Sequence, residues 1–254
     1  MTIQLLPHDF DEQVAAAVRL FWASRSNSSG TQDAARGHVI AGKNLDGFLE
    51  VVRSVAKHCG LPETSVFTSG RRDLSLPGYY RPAKNWDVVI VHQKRLIAVL
   101  EFKSQVGSFG NNFNNRTEEV IGNASDLWIA ARHGAYLPTN HVGSLDGESI
   151  EDPRLPFLGY MMLLEECAAS TNPVEINSQH YKIFPEFVGS SYADRYKLLC
   201  DRLMEQNLYN AAALILSSQK TDNQGLAYCC LSSATSIRNL FALLAGQLLA
   251  AVQS

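Results

Sequence analysis

The chain has 254 residues, of which 46% are hydrophobic, and this length and apolar content allow one globular domain with a full core. Its formal net charge of −3 excludes a protein that coats nucleic acid non-specifically, although a local basic surface stays possible. Five cysteines without CxxC spacing favour buried reduced thiols over disulfides or a zinc site, and the lack of a signal peptide or long apolar run leads us to expect a cytoplasmic protein that does not enter a membrane.

Two helices are predicted in the first quarter of the chain. The first covers about residues 9–23 and begins with the spacing of a capping box, and the second covers about residues 44–58 with an apolar stripe at helical spacing. The segment 24–42 between them is rich in Ser, Asn and Gly, so we expect it to be mobile unless a partner orders it. Glu50 lies opposite the apolar stripe, and whether it adds a carboxylate to a functional site stays open.

A β-hairpin is predicted in NWDVVIVHQKRLIAVLEFKSQ, residues 85–105, after a short strand near 65–68. Antiparallel pairing through the short HQKR link sets Asp87, at the start of the first strand, beside Glu101, near the end of the second. Side chains alternate along a strand, so a register that pairs positions 87 and 101 places Asp87, Glu101 and Lys103 on one face. Both faces of LIAVLEF are apolar, which indicates a buried central strand that delivers these charges to a cleft.

This trio predicts metal-dependent hydrolysis of a phosphodiester. Adjacent carboxylates raise each other's pKa, and a cation such as Mg²⁺, which takes oxygen ligands and needs only one or two protein carboxylates, relieves the repulsion. We therefore predict that Asp87 and Glu101 bind Mg²⁺, and that Lys103 holds or deprotonates the attacking water or offsets transition-state charge. The alternative is structural, because acidic residues at strand ends commonly form surface ion pairs and D…ExK spacing often occurs by chance.

Basic and amide side chains flank this trio. The sequence after Lys103 predicts a loop rich in Gly and Asn that runs into a helix over about 116–132, and the amides at a helix N-terminus favour phosphate. Asn and Arg can also read adenine and guanine in the major groove, although an Asn cluster is equally compatible with a simple turn. The residues predicted to contact DNA are Arg81, Lys84, Ser104, Gln105, Asn111, Asn112, Asn114, Asn115 and Arg116.

The rest of the chain predicts one strand and three helices. Residues 154–166 are continuously apolar and bounded by prolines, which favours a buried strand. YADRYKLLCDRLMEQ (192–206) and LYNAAALILSS (208–218) are interpreted as consecutive amphipathic helices, followed by a helix over 233–253. The apolar stripe of the last helix can serve the core or a dimer interface, and the sequence leaves this open.

Several segments have distinctive amino-acid sequences. They are KNLDGF (43–48), RPAKNWD (81–87), LEFKSQVG (100–107), FGNNFNNRTEE (109–119), DLW (126–128) and SYADRYKLLCDRLMEQNLYNAAALILSS (191–218, preceded by a further serine). Together they resemble the XhoI-like family of type II restriction endonucleases over most of the chain. FGNNFNNRTEE is long enough to be specific, whereas D…ExK alone is not. Trp86 stands where the general nuclease motif has proline, and the family shares this departure.

The resemblance implies the α/β fold of PD-(D/E)xK nucleases, with a central mixed β-sheet flanked by helices and additional C-terminal helices. It implies a single nuclease domain over 1–254, with a catalytic core at about 44–166 and a helical C-terminal part at about 190–254. Within the motif, Asp87 and Glu101 are expected as metal ligands and Lys103 as the catalytic lysine.

The resemblance also implies a function. A homodimer with Mg²⁺ is expected to cut duplex DNA at a palindrome, CTCGAG or a site containing it, because a two-fold symmetric dimer matches two-fold symmetric DNA. A DNA methyltransferase is expected in the same system, but not as a bound subunit. The alternatives are a PD-(D/E)xK nuclease of repair or recombination, and a non-catalytic DNA-binding protein.

Overall fold

The computed structural model describes residues 4–28, 45–137, 155–219 and 227–253. The helices are α1 (Phe10–Ser28), α2 (Asp46–His58), α3 (Phe109–Arg132), α4 (Ala168–Thr171), α5 (Tyr192–Glu205) and α6 (Ile237–Gln253). The strands are β1 (Val66–Phe67), β2 (Ser75–Leu76), β3 (Lys84–Asn85), β4 (Val88–His92), β5 (Arg95–Gln105), β6 (Phe157–Glu165) and β7 (Ala211–Ser217). Among the helices so described, none is long and apolar enough to cross a membrane.

A five-stranded sheet in the order β1-β4-β5-β6-β7 forms the centre of the molecule. The β1–β4 and β4–β5 pairs are antiparallel, whereas β5–β6 and β6–β7 are parallel, so the predicted mixed sheet is confirmed. The predicted hairpin is also confirmed, and its turn residues Gln93 and Lys94 both have positive φ, as a two-residue turn with the twist of the flanking strands requires. β2 and β3 form a separate antiparallel ribbon.

Helices cover both faces of this sheet. The buried side chains of α1, α2 and α6 share one apolar cluster with Val88, Ala98 and Leu100 of the central strands. The buried side chains of α3 and α5 share a second cluster with Val89 and Val99. Because side chains alternate along β4 and β5, the two clusters lie on opposite faces of the sheet. We call the face that packs against α3 and α5 the α3 face.

One predicted element is wrong, because residues 211–217 form β7 and not a helix. All seven side chains of AAALILS are buried, between α5 and α6. A short apolar run that is buried on both faces has no polar face to reveal its period, so periodicity does not distinguish a strand from a buried helix. These residues form a strand because the parallel neighbour β6 provides hydrogen-bond partners along one edge of β7.

Helix boundaries also differ from the prediction. α3 begins at Phe109, so the end of the loop predicted before residue 116 is instead the first two turns of this helix. α1 continues to Ser28, beyond the predicted end near residue 23. Most of the segment predicted to be mobile, residues 29–42, lies outside the described part of the chain, as does Asn44.

Candidate active site

The predicted trio lies at the junction of β4 and β5. Val88 pairs with Leu100, so Asp87, immediately before β4, stands opposite Glu101 as the sequence predicts. Val89 and Val99, two positions further along each strand, both pack in the α3-face core, and alternation puts Asp87 and Glu101 on that same face. The sheet thus brings two carboxylates from adjacent strands to one place.

Glu101 is a buried carboxylate surrounded by donors. It is 1% exposed, and its Oε1 lies 2.8 Å from the Lys103 ammonium and 3.1 Å from the Lys84 ammonium. The Asn123 amide donates to both Glu101 oxygens, at 2.8 and 3.1 Å. Burial alone would raise the pKa of Glu101, but the two lysines outweigh it and the pKa is lowered, so this residue stays ionised.

Lys103 connects two carboxylates. Its ammonium lies 2.8 Å from Glu101 and 3.4 Å from Glu119 of α3. Burial would lower the pKa of Lys103, but Glu101, Asp87 and Glu119 more than offset this, so the pKa is raised and the side chain is a cation.

The negative charge of Asp87 is less well balanced by nearby positive groups than that of Glu101. Its Oδ2 accepts a 2.7 Å hydrogen bond from the Phe102 backbone N–H. Burial is the largest influence on this carboxyl, and its pKa is raised despite the opposing effect of Lys103. The site therefore contains one fully paired carboxylate and one whose charge lacks an equal partner.

The donor set fits a hard divalent cation that keeps most of its own waters. Both carboxylates supply oxygen, which Mg²⁺ prefers, and within the described part of the chain the contacts of the trio come from lysine, asparagine, glutamate and backbone groups. Across the described ranges no cluster of three or more His, Cys, Asp or Glu side chains is placed to hold a metal. Two carboxylates with water and a phosphate oxygen suit Mg²⁺, whereas a site built entirely from protein ligands does not match this arrangement.

Sequence reasoning missed two buried polar residues of α3. Asn123 and Asp126 are 4% and 3% exposed, one helical turn apart, and both face the site. The Arg81 guanidinium donates to the Asn123 Oδ1 and to the Asp126 Oδ2, both at 2.7 Å. The available signal was two polar residues at i and i+3 among the apolar residues of this helix.

The predicted DNA contacts fall into two groups. Asn111, Asn114 and Asn115 are exposed on the first turns of α3, and Asn112 and Arg116 are half-buried there, with Arg116 2.6 Å from Glu119. Ser104 is half-buried on β5. The others are engaged in contacts within the protein. Arg81 and Lys84 make the contacts above, although the Arg81 side chain is still 40% exposed. Gln105 is buried: the Tyr196 hydroxyl donates to its Oε1, and the Gly107 and Ser108 carbonyls accept from its amide.

Glu50 forms its ion pair on its own helix and not with the trio. Its side chain is 75% exposed and 3.5 Å from Arg53 on the same helix. The buried side of α2 packs on the face opposite the α3 face, so Glu50 and Glu101 belong to different layers.

Comparison with known proteins gives a consistent result. The family model described as "Restriction endonuclease XhoI" matches residues 24–229. The chain is 40% identical over 205 residues to the type II restriction enzyme BstVI of Geobacillus stearothermophilus, covering 78% of this chain and 84% of that protein. It is 41% identical over 202 residues to the type II restriction enzyme XhoI of Xanthomonas vasicola, covering 77% and 76% of the two chains.

A third relative, the type II restriction enzyme AbrI of Azospirillum brasilense, is 40% identical over 181 residues, which are 68% of this chain and 75% of that protein. No solved structure matches the chain.

Proposed function

The chain belongs to the restriction endonuclease XhoI family, and we propose that it cuts both strands of duplex DNA at a short palindrome with Mg²⁺ as its cofactor. The observation that carries the proposal is the position of Asp87 opposite Glu101 with the Lys103 ammonium 2.8 Å from Glu101. An acidic pair with an adjacent ammonium group suits metal-dependent hydrolysis of a phosphodiester. The relatives to which the chain is similar are named as type II restriction enzymes, which agrees with this proposal.

Each residue of the trio has a distinct role in this proposal. Asp87 and Glu101 would hold Mg²⁺, which when bound activates water and neutralises charge on the phosphate. The Lys103 ammonium lies 2.8 Å from Glu101, within reach of a water or phosphate oxygen held at the same carboxylate. This ammonium would orient the attacking water and stabilise the negative charge that develops on the phosphate oxygens. Asn123 holds the Glu101 carboxylate in place.

The proposed target is CTCGAG or a longer site that contains it, which is the palindrome that the resemblance to the XhoI-like family implies. A palindrome has two-fold symmetry, so we propose a homodimer that places one copy of the site on each strand. A DNA methyltransferase acting on the same sequence would protect the host DNA in the cytoplasm, as a separate protein.

Digestion of plasmid DNA tests the proposal. Two plasmids that differ by one base pair in a single CTCGAG are incubated with the protein and Mg²⁺, with and without excess chelator. We expect one linear product from the plasmid with the site, and none from its partner or in the presence of chelator. Random degradation, or cutting of branched but not linear duplexes, would instead indicate a nuclease of repair or recombination. If neither the plasmids nor the branched duplexes are cut, only the proposal of a non-catalytic DNA-binding protein is left.

A further inference from the structure

Two exposed tyrosines lie on the protein surface beside the proposed active site. Tyr79 and Tyr80 are 51% and 71% exposed. Their rings meet edge to face with centroids 5.1 Å apart, and the Tyr79 ring stacks on His133 at 4.8 Å. Adjacent exposed aromatic rings in a fixed arrangement are unusual on a protein surface unless they meet a partner, because they leave apolar area in water.

The turn that carries these rings is held from beneath by one buried carboxylate. Asp126 accepts hydrogen bonds from the Tyr79 and Tyr80 backbone N–H groups and from the Arg81 guanidinium, each at 2.7 Å. The Tyr136 hydroxyl donates to the Pro77 carbonyl, also at 2.7 Å. We call residues 77–81 the tyrosine turn.

Gly78 shows how closely the tyrosine turn fits this carboxylate. A Cβ at this position would lie 2.4 Å from the Asp126 Oδ2 and 2.8 Å from the Arg81 carbonyl oxygen. Only glycine therefore allows the backbone to approach Asp126. The two rings are presented by a fixed backbone, so binding through them loses little conformational entropy.

The tyrosine turn is connected to the catalytic carboxylate by two consecutive hydrogen bonds. Arg81, the last residue of the turn, donates to Asn123 at 2.7 Å, and Asn123 donates to Glu101 at 2.8 Å. These contacts place the turn close to Glu101, so a duplex that binds at the proposed active site would extend toward the surface that carries the turn. Exposed Arg71 and Arg72, a few residues before the turn, add positive charge to that part of the chain.

We propose that the tyrosine turn is a DNA-contacting element, in which the Tyr80 ring, with Tyr79 beside it, packs against the sugars or base edges of the duplex next to the scissile phosphate. This inference rests on the proposed function. Tyrosine suits such a surface because its ring supplies contact area and its hydroxyl can bind phosphate or base edges. The Asp126 anchor sets the position of the rings relative to Glu101.

Binding measurements on four variants test the inference. A fluorescent duplex containing CTCGAG is titrated with wild-type protein and with Tyr80→Ala, Tyr79→Ala, Tyr80→Phe and Leu20→Ala, using Ca²⁺ in place of Mg²⁺ to limit cutting. Leu20 is a matched control, since it is 52% exposed and lies on α1 in the other layer. Circular dichroism and thermal unfolding show whether each variant is folded.

We expect Tyr80→Ala to weaken binding about ten-fold, Tyr79→Ala to have a smaller effect in the same direction, and Tyr80→Phe to stay within about three-fold of wild type. Leu20→Ala should bind as wild type does. Gly78→Ala is a second route to the same answer, because displacing the turn while both rings remain should also weaken binding.

Two results would overturn the inference, and only the second would also overturn the proposed function. Wild-type protein that cuts the site, together with folded Tyr80→Ala and Tyr79→Ala proteins that bind DNA normally, would remove the tyrosine turn from the interface and leave the proposed function intact. Wild-type protein that neither binds nor cuts the duplex would reject the proposed function and this inference together.

Discussion

The side-chain amide of Asn123 donates to both carboxylate oxygens of Glu101, at 2.8 and 3.1 Å. The two residues come from different elements, α3 and β5, and both are buried. Their contact fixes the orientation of the carboxylate from the helical side of the sheet, while Lys84 and Lys103 neutralise its charge. A buried carboxylate requires this combination, because an unpaired charge in the interior is strongly destabilising.

Asn123→Ala should therefore reduce both stability and turnover. Loss of the amide leaves Glu101 with fewer hydrogen bonds, and we expect the free energy of unfolding to fall by about 1–3 kcal/mol. Because groups that orient a metal ligand commonly contribute 10–100-fold to activity, we expect a drop of about that size in cleavage rate. Denaturant unfolding and single-turnover cleavage measure the two effects. The exposed Asn177 gives the control, since Asn177→Ala should match wild type in both assays.

Lys103→Ala should abolish most cleavage and leave DNA binding largely intact. In the proposed function the ammonium stabilises charge that develops only in the transition state, so its removal should lower the cleavage rate by about 10²–10⁴-fold. Single-turnover cleavage and binding titrations on the same duplex separate the two effects. Lys57→Ala is the control, because Lys57 is exposed on α2. Cleavage that survives in the Lys103 variant would falsify the catalytic role.

Lys84→Met should tighten binding of Mg²⁺ to the DNA-free protein. The Lys84 ammonium lies 3.1 Å from the Glu101 Oε1, where it repels a cation that approaches the same carboxylate. Removing one charge at this range changes the energy by about 1 kcal/mol even in a water-like medium, which is about a five-fold change in affinity. Calorimetric titration with Mg²⁺ measures it, with Lys57→Met as the matched loss of charge. Equal affinity in all three proteins would place the metal away from Glu101.

The stability contributed by Asp126 should depend on pH. Burial would raise the pKa of this carboxyl, but the Tyr80 amide, Arg81 and the Tyr79 amide lower it overall. A pKa that is lower in the folded than in the unfolded protein stabilises the fold above the ordinary value of 3.8, and this contribution is lost as pH falls below it.

Asp126→Asn should consequently destabilise the protein by about 1–3 kcal/mol near pH 7, with the difference from wild type shrinking below pH 3.8. Urea unfolding across that range checks it. Asp11→Asn removes a carboxylate from an exposed pair with Arg238 and should cost less than about 1 kcal/mol. A pH-independent difference for Asp126→Asn would mean that the charge is not what stabilises the turn.

Two thiols should resist alkylation in the folded protein. Burial raises the pKa of Cys59 to about 11 and also raises the pKa of Cys200, so neither forms appreciable thiolate at pH 8. Cys167 and Cys229 are only half-buried. Iodoacetamide followed by peptide mass mapping should label these two before the buried pair, and unfolded protein should be labelled at all positions. The sequence predicts buried reduced thiols, and the structure buries only Cys59 and Cys200, whereas Cys167, Cys229 and Cys230 are half-buried.

The strands that carry Asp87 and Glu101 were predictable because the sequence signals that specify them lie close together along the chain. Period-two alternation and a short polar link were sufficient to pair Asp87 with Glu101, and the observed register agrees. The network around the pair was not predictable in the same way. Asn123 and Arg81 are separated by 42 residues, and their contact depends on how α3 packs on the sheet.

The amino-acid sequence by itself determined the hairpin, its charged end and the resemblance to a family of nucleases. Only the tertiary structure decided that residues 211–217 form a strand, that the asparagines after Phe109 begin a helix, and that Lys84 and Asn123 meet Glu101. The physical reason is the distance along the chain over which each interaction acts. Alternation and turns act between near neighbours along the chain, whereas the pairing of a doubly buried strand and the neutralisation of a buried charge depend on partners that only packing brings together.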